Sequence, residues 1–401
     1  MQTQLADLIK NSAEGQEADA ILRSCVHCGL CNATCPTYQL LGDERDGPRG
    51  RIYLIKQMLE GETATAKTQL HLDRCLTCRA CETYCPSGVR YGRLLEIGRH
   101  ILEEKVGRTW LDRLQRKALR MLLPYPARFA PLLRVAGWIR PVLPRPLAKI
   151  IPVPSPASSW PEPRHHRKML VLEGCVQPAL APSINAAAAR VLDRLGISLI
   201  RATEAGCCGA VSYHLTATEE GVGFMRRNID AWMPYLDLGV EAIVMTASGC
   251  GLMVKQYADA LKHDAAYAEK AARISAMTLD LAEVLAREDL TSLQVDANKR
   301  IAFQSPCTLQ HGQQLNGLVE GILTRLGFEL APVANPHLCC GSAGTYSILQ
   351  PDLSLRLLSD KLEALHSGKP DCIATANIGC LTHLKTGTDV PVVHWVELVD
   401  S

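Results

Sequence analysis

Eight of the chain's seventeen cysteines fall into two runs with the same spacing, and that spacing limits what residues 25–86 can fold into. Cys25, Cys28, Cys31 and Cys35, followed by Pro36, fit C-x2-C-x2-C-x3-C-P. Cys75, Cys78, Cys81 and Cys85, followed by Pro86, repeat it. A 4Fe–4S cube needs one thiolate per iron. Three cysteines at x2 spacing wrap a single loop around three corners, and the fourth cannot fold back onto the same cube. Zinc knuckles use one CxxC pair per half-site, which leaves the third and fourth cysteines and both prolines unexplained.

In two-cluster ferredoxins the fourth cysteine of each run ligates the other cluster. The expected sets are therefore Cys25, Cys28, Cys31 and Cys85 for one 4Fe–4S cluster, and Cys75, Cys78, Cys81 and Cys35 for the second. Between the loops, GDERDGPRGRIYLIKQMLEG reads as a capped helix, with Asp46 as N-cap, Pro48 in the first turn and an apolar stripe of Ile52, Ile55 and Leu59. More helix is expected from Leu94 to about Leu119. The module is thus an α-helical ferredoxin domain, assigned to 1–112. Arg45, Arg49 and Arg51 read as a solvated helix start facing the clusters rather than a substrate clamp. His27 reads as a hydrogen-bonding neighbour that tunes potential, since all four corners of its cluster are taken.

At 401 residues the chain is long enough for two or three domains. Lys and Arg outnumber Asp and Glu by only 43 to 41, which argues against nucleic-acid binding by the protein as a whole. The opening MQTQLADLIKNSAEG lacks a basic region leading into an apolar one, and no run of eighteen apolar residues occurs, so neither a secretory signal nor a transmembrane segment is expected. Clustered cysteines in such a chain suggest metal sites in a cytoplasmic protein. Residues 113–161 hold nine Lys or Arg and no acid, and 121–163 hold eleven of the 23 prolines. Residues 113–166 therefore read as a Pro-rich basic linker that cannot be one long helix. A sharper reading makes the segment, with Trp138, a surface for a membrane or a partner subunit.

From residue 168 one pattern runs twice. KMLVLEGC ends at Cys175 and RIAFQSPC at Cys307, each a short apolar strand reaching a cysteine. A helix follows, then Arg194-Leu195-Gly196 or Arg325-Leu326-Gly327, a second strand, and Cys-Cys-Gly at 207–209 or 339–341. Cys175 to Cys207 and Cys307 to Cys339 are both 32 positions. EAIVMTASGC and DCIATANIGC close the two halves at Cys250 and Cys380. Strand–helix alternation with chemistry at strand ends predicts duplicated small α/β lobes, 167–290 and 291–401, packed as a pseudo-dimer. Vicinal thiols suit different irons of one cluster better than one tetrahedral ion, and each half offers four: Cys175, Cys207, Cys208 and Cys250, then Cys307, Cys339, Cys340 and Cys380. Cys372, where the first repeat has Ala242, reads as a strand-core thiol.

These residues resemble the cysteine-rich, or CCG, domain family found in heterodisulfide reductases, anaerobic glycerol-3-phosphate dehydrogenase and lactate-utilisation proteins. The fusion to a two-cluster ferredoxin is most similar to the iron–sulfur subunits of bacterial glycolate oxidase (glycolate dehydrogenase), through DGPRGRIYLIKQ, EAGCCGAV, TASGCG, PCTLQH, LCCGSAGTY and TANIGC. The chain departs from the broader CCG pattern, which ends Cys-x-x-Cys. Cys250 precedes Gly251-Leu252-Met253, and Cys380 precedes Leu381-Thr382-His383. Four thiolates per half leave a third iron–sulfur cluster, zinc or no metal as the alternatives, with His383 as an extra donor in the second half.

Oxidation of a 2-hydroxy acid is flavin chemistry, and the chain shows no dinucleotide fingerprint: GVGFMR at 221–226 lacks the final glycine and the preceding strand. The resemblance implies FAD-bearing flavoprotein dehydrogenase subunits as electron donors, a quinone or other membrane acceptor, and peripheral association with the inner membrane. Rival readings are service to a lactate or glycerol-3-phosphate dehydrogenase, a disulfide-reducing catalytic subunit, and a structural scaffold.

Overall fold

The structure is a computed structural model that describes residues 1–144, 148–149, 151–156 and 158–400. Its contacts divide the chain into two compact units, Met1–Gln115 with His337–Lys361, and Arg116–Pro336 with Leu362–Ser401. This division differs from the one read off the repeat, because the second Cys-Cys-Gly loop is grouped with the N-terminal unit.

The first unit is helical. Pro48–Leu59 and Tyr91–Val106 cross closely, and a Cβ added at Gly98 would lie 2.8 Å from Ile55 Cγ1. Ile52, Ile55 and Leu59 are buried there with Leu94, Leu95 and Ile97. Two expectations need correction. Asp46 is not the N-cap of Pro48–Leu59: Gly47 is, and Asp46 ends the preceding 3-10 turn, Glu44–Asp46, with its carboxylate fully buried. Arg51 is not solvated but 1% exposed, because the helix Ala66–Asp73 brings the His71 carbonyl to accept its Nε–H at 2.7 Å. The helix expected from Leu94 starts earlier, at Tyr91, and stops at Val106, where Gly107 turns the chain with φ +68°.

The second unit holds two four-stranded, all-parallel sheets. The first comprises β1 (Arg167–Val171), β2 (Ile197–Arg201), β3 (Ile243–Met245) and β4 (Thr278–Asp280), in the order β2-β1-β3-β4. The second comprises β5 (Arg300–Gln304), β6 (Glu329–Leu330), β7 (Cys372–Thr375) and β8 (Val392–His394), in the order β6-β5-β7-β8. The inner strands β3 and β7 are buried at every residue, as strands inside a covered parallel sheet are.

The lobes pack through two equivalent pairs of helices. Helix Pro182–Arg194, which follows β1, packs on Trp395–Val399, which follows β8. The equivalent pair, Leu318–Arg325 after β5 and Leu281–Arg287 after β4, packs in the same way. One apolar core therefore runs through both lobes, from Ile184 and Leu192 to Trp395 and Val396. Such reciprocal contact is the signature of a two-fold interface, here made by the two halves of one chain. Hydrogen bonds lock the arrangement: Ser248 N–H donates to the Ala376 carbonyl at 3.1 Å, and His394 Nε2–H to the Thr246 carbonyl at 2.8 Å.

The proline-rich segment forms two helices, Trp110–Leu122 and Pro126–Ile139, interrupted around Pro124. Leu133 is buried in the two-lobe core, and Trp160 donates its indole N–H to the Leu199 carbonyl at 3.1 Å, so the segment is fastened to the lobes at its middle and near its C-terminal end. Residues 145–147, 150 and 157 of this segment lie outside the described residues.

Candidate metal centres

Both N-terminal cysteine loops use the same backbone device. In the first, His27 and Gly29 flank Cys28 with φ of +59° and +83°; in the second, Thr77 and Arg79 flank Cys78 with +55° and +60°. Left-handed residues are costly outside glycine, and their recurrence at equivalent positions shows that a tight, same-handed wrap is required of both loops. The wrap turns amides inward: Thr77 N–H points to Cys75 Sγ at 3.5 Å.

Cys25, Cys28, Cys31 and Cys85 line a single cavity, which Cys81 also lines. Burial, and then the neighbouring Cys25, push the Cys31 thiol up to about 11, and Cys28 and Cys85 add to the effect. Cys81 is raised by burial and by the facing Cys78, Cys75 and Cys35. The fourth cysteine of each run thus faces the other run's loop. Cys75 behaves differently. Burial alone would raise it, but Arg51, Arg99 and the Tyr91 hydroxyl pull it below the ordinary thiol value. His27 Nδ1 is buried in the first loop without a hydrogen-bond partner in the protein. Among the arginines, Arg49 pairs with Glu44 at 2.6 Å and Arg45 with Asp43 at 2.7 Å.

Residues 337–361 lie against the same helical unit. Tyr346 Oη donates to the Arg74 carbonyl, one residue before Cys75, at 3.1 Å, and Arg356 donates to the Leu40 carbonyl at 3.0 Å. Gly341 N–H points to Cys339 Sγ at 3.4 Å, matching Gly209 N–H to Cys207 Sγ at 3.4 Å in the first repeat. Gly209 and Gly341 have φ of +90° and +88°, the left-handed freedom that the turn after each Cys-Cys pair uses. Cys307 and Cys380 lie in the other unit, Cys307 just after β5 and Cys380 in the helix Ile378–Gly387, with Asn377 Nδ2 3.7 Å from Cys380 Sγ. Cys372 is buried at the start of β7, and burial pushes its thiol up to about 11. His383 lies on the same helix as Cys380.

In the first lobe all four sulfurs converge. Cys207 is held well below the ordinary thiol value by hydrogen bonds from Cys175 and Cys208; the same bonds raise both donors, and Cys250 faces each of them. The loop is clamped from behind by two residues that carry no motif signal. Asn228 Oδ1 accepts from Gly206 N–H at 2.9 Å, and its Nδ2 donates to the Cys207 carbonyl at 2.9 Å. The Tyr257 hydroxyl donates to the Cys208 carbonyl at 2.8 Å. Arg227 also faces Cys207, with Nε and Nη2 buried and without hydrogen bonds. Two buried guanidinium donors without hydrogen bonds, beside four converging thiols, fit an anionic metal–thiolate centre.

Two cysteine cups in a helical unit, with paired α/β lobes that each carry a Cys-Cys-Gly turn, define an iron–sulfur protein. Residues 21–89 match the family model described as 4Fe-4S dicluster domain, and residues 169–255 and 301–385 both match the one described as cysteine-rich domain. The glycolate oxidase iron-sulfur subunit of Escherichia coli (strain K12) is 57% identical over 402 residues, covering 100% of this chain and 99% of the relative. A probable glycolate oxidase iron-sulfur subunit of Bacillus subtilis (strain 168) is 29% identical, covering 98% and 96%. Lactate utilization protein A of Exiguobacterium sp. is 23% identical over 57% of this chain and 94% of its own length. The chain belongs to the family of glycolate oxidase iron–sulfur subunits.

Proposed function

We propose that this chain is the electron-carrying subunit of a complex that oxidises glycolate to glyoxylate. A partner flavoprotein takes two electrons and two protons from the hydroxy acid and passes the electrons on singly. The chain receives them on two 4Fe–4S clusters, held by Cys25, Cys28, Cys31 and Cys85 and by Cys35, Cys75, Cys78 and Cys81, and delivers them to a quinone or other membrane acceptor. The observation that carries this reading is the facing of each loop by the other run's fourth cysteine, the arrangement two adjacent cubes require. A third iron–sulfur centre at Cys175, Cys207, Cys208 and Cys250 is supported by their convergence beside Arg227. Cys307, Cys339, Cys340 and Cys380 are the matching set of the second repeat. The test is reconstitution: the purified chain alone leaves glycolate untouched, and activity returns on adding the flavoprotein. Turnover by the flavin-free chain overturns the proposal.

Among the described residues no helix is long and apolar enough to cross a membrane. The helix Pro126–Ile139 exposes Leu132, Val135, Trp138 and Ile139 in one stripe, with Trp138 81% exposed and Arg128 and Arg134 beside it. An apolar stripe flanked by cations and no acids suits the surface of an anionic bilayer. This face is the proposed point of peripheral attachment.

A further inference from the structure

The two ferredoxin-type centres have unlike surroundings. Around the first, Cys28 and Val26 are exposed, Val26 to 69%, and Cys85 Sγ receives the Val89 N–H at 3.5 Å. The nearby cation Arg49 is neutralised by Glu44. Around the second, Tyr91, itself 4% exposed, donates its hydroxyl to Cys75 Sγ at 3.4 Å, and Thr77 N–H approaches the same sulfur at 3.5 Å. The Thr37 hydroxyl lies 3.3 Å from Cys35 Sγ and accepts from Arg51 Nη2 and Nη1 at 3.1 and 3.2 Å. Arg99 donates to the Cys75 carbonyl at 2.9 Å. Asp46 does not cancel these charges alone. Arg74 and His71 meet its two oxygens at 2.9 and 3.0 Å, whereas Arg51 comes no nearer than 3.6 Å.

Reduction adds a negative charge to a centre that is already anionic, and burial makes that addition harder. A fixed cation in low dielectric, and donors aimed at the sulfurs, make it easier. We propose that Arg51 and Tyr91 are positioning residues that raise the reduction potential of the centre held by Cys35, Cys75, Cys78 and Cys81. They let a buried centre accept electrons at a potential its burial would otherwise withhold. The inference rests on the crossed ligand sets of the preceding reading and adds to it a division of labour: the exposed centre is set by solvent, the buried one by a guanidinium and a phenol.

The test is a potentiometric titration of the anaerobically prepared full chain, followed by electron paramagnetic resonance, with Cys78→Ser identifying the buried centre's signal. Tyr91→Phe deletes one oxygen and is expected to move that centre's potential negative while the other centre stays in place. Arg51→Met is expected to move it further, and Arg51→Lys to restore part of the shift. If Arg51→Met fails to hold iron, Tyr91→Phe decides. Full iron content with an unmoved potential in Tyr91→Phe overturns the inference, as does an equal shift of both centres. A wild-type chain without paired iron–sulfur signals overturns the underlying reading instead.

Discussion

Asn228 and Tyr257 are both fully buried and hold the Cys207-Cys208 turn through its backbone alone, so their removal should loosen the site without touching a sulfur. Asn228→Ala strands the Gly206 N–H and the Cys207 carbonyl, and removes the amide's 3.1 Å bond to the Tyr257 hydroxyl. A buried polar group left without a partner costs about 1–3 kcal/mol, so two give a local destabilisation of about 3 kcal/mol. Tyr257→Phe strands one carbonyl, for about 1.5 kcal/mol. If the turn opens locally before it reacts, alkylation of Cys207 and Cys208 in the metal-free protein tracks the open population. Each 1.4 kcal/mol then multiplies the rate about tenfold. The expected increases are about 100-fold for Asn228→Ala and about tenfold for Tyr257→Phe. Mass spectrometry reads both sites, with Cys372, buried in β7, as the internal control. Unchanged rates at Cys207 and Cys208 would refute the clamp, and an equal rise at Cys372 would replace local opening with global unfolding.

Cys35→Ser should disturb the cluster of Cys75, Cys78 and Cys81 and spare that of Cys25, Cys28 and Cys31; site-resolved paramagnetic resonance checks this, and loss of the sequence-adjacent cluster contradicts it. His394 is fully buried, and desolvation holds its imidazole down to about 4. Its Nε2–H donates to Thr246 and its Nδ1 accepts from Val396 N–H, so the folded state needs the neutral ring. The unfolded chain takes up the proton near pH 6.5, so stability on the order of 3 kcal/mol is present above that pH and is lost as pH falls towards 4. Burial raises Asp280 to about 7, and that group acts oppositely, losing its contribution as pH rises from 3.8 to 7. The two slopes offset in the wild type. His394→Asn should therefore gain relative to the wild type as pH drops from 6.5 to 4 in chemical denaturation, and parallel pH profiles contradict this. Charge-neutral substitution of Arg128, Arg134 and Arg140 should release the protein from anionic vesicles, each cation being worth about 1 kcal/mol at low salt. An unchanged distribution in co-sedimentation returns the segment to a plain linker.

The cysteine spacing determined by itself that residues 25–86 form two loops of one kind, because three thiols at x2 spacing on a short peptide have few ways to surround anything. The matched 32-residue intervals likewise made the duplication and its parallel α/β lobes legible, since strand period and turn glycines are local properties. The surroundings of the sulfurs were not legible. Arg51 has the sequence context of a solvated helix start, yet it is buried because His71, 20 residues later, lies over it. Asp46 looked like a cap and became the anion shared by His71 and Arg74, 25 and 28 residues away. Tyr91, Asn228 and Tyr257 belong to no motif, and their roles exist only once distant helices place a hydroxyl or an amide beside a cysteine turn. The pairing of helices across the lobes was equally hidden. Covalent spacing constrains what a loop can wrap, but the dielectric, charge and hydrogen bonds around that loop come from whichever distant segments the packed core brings to it.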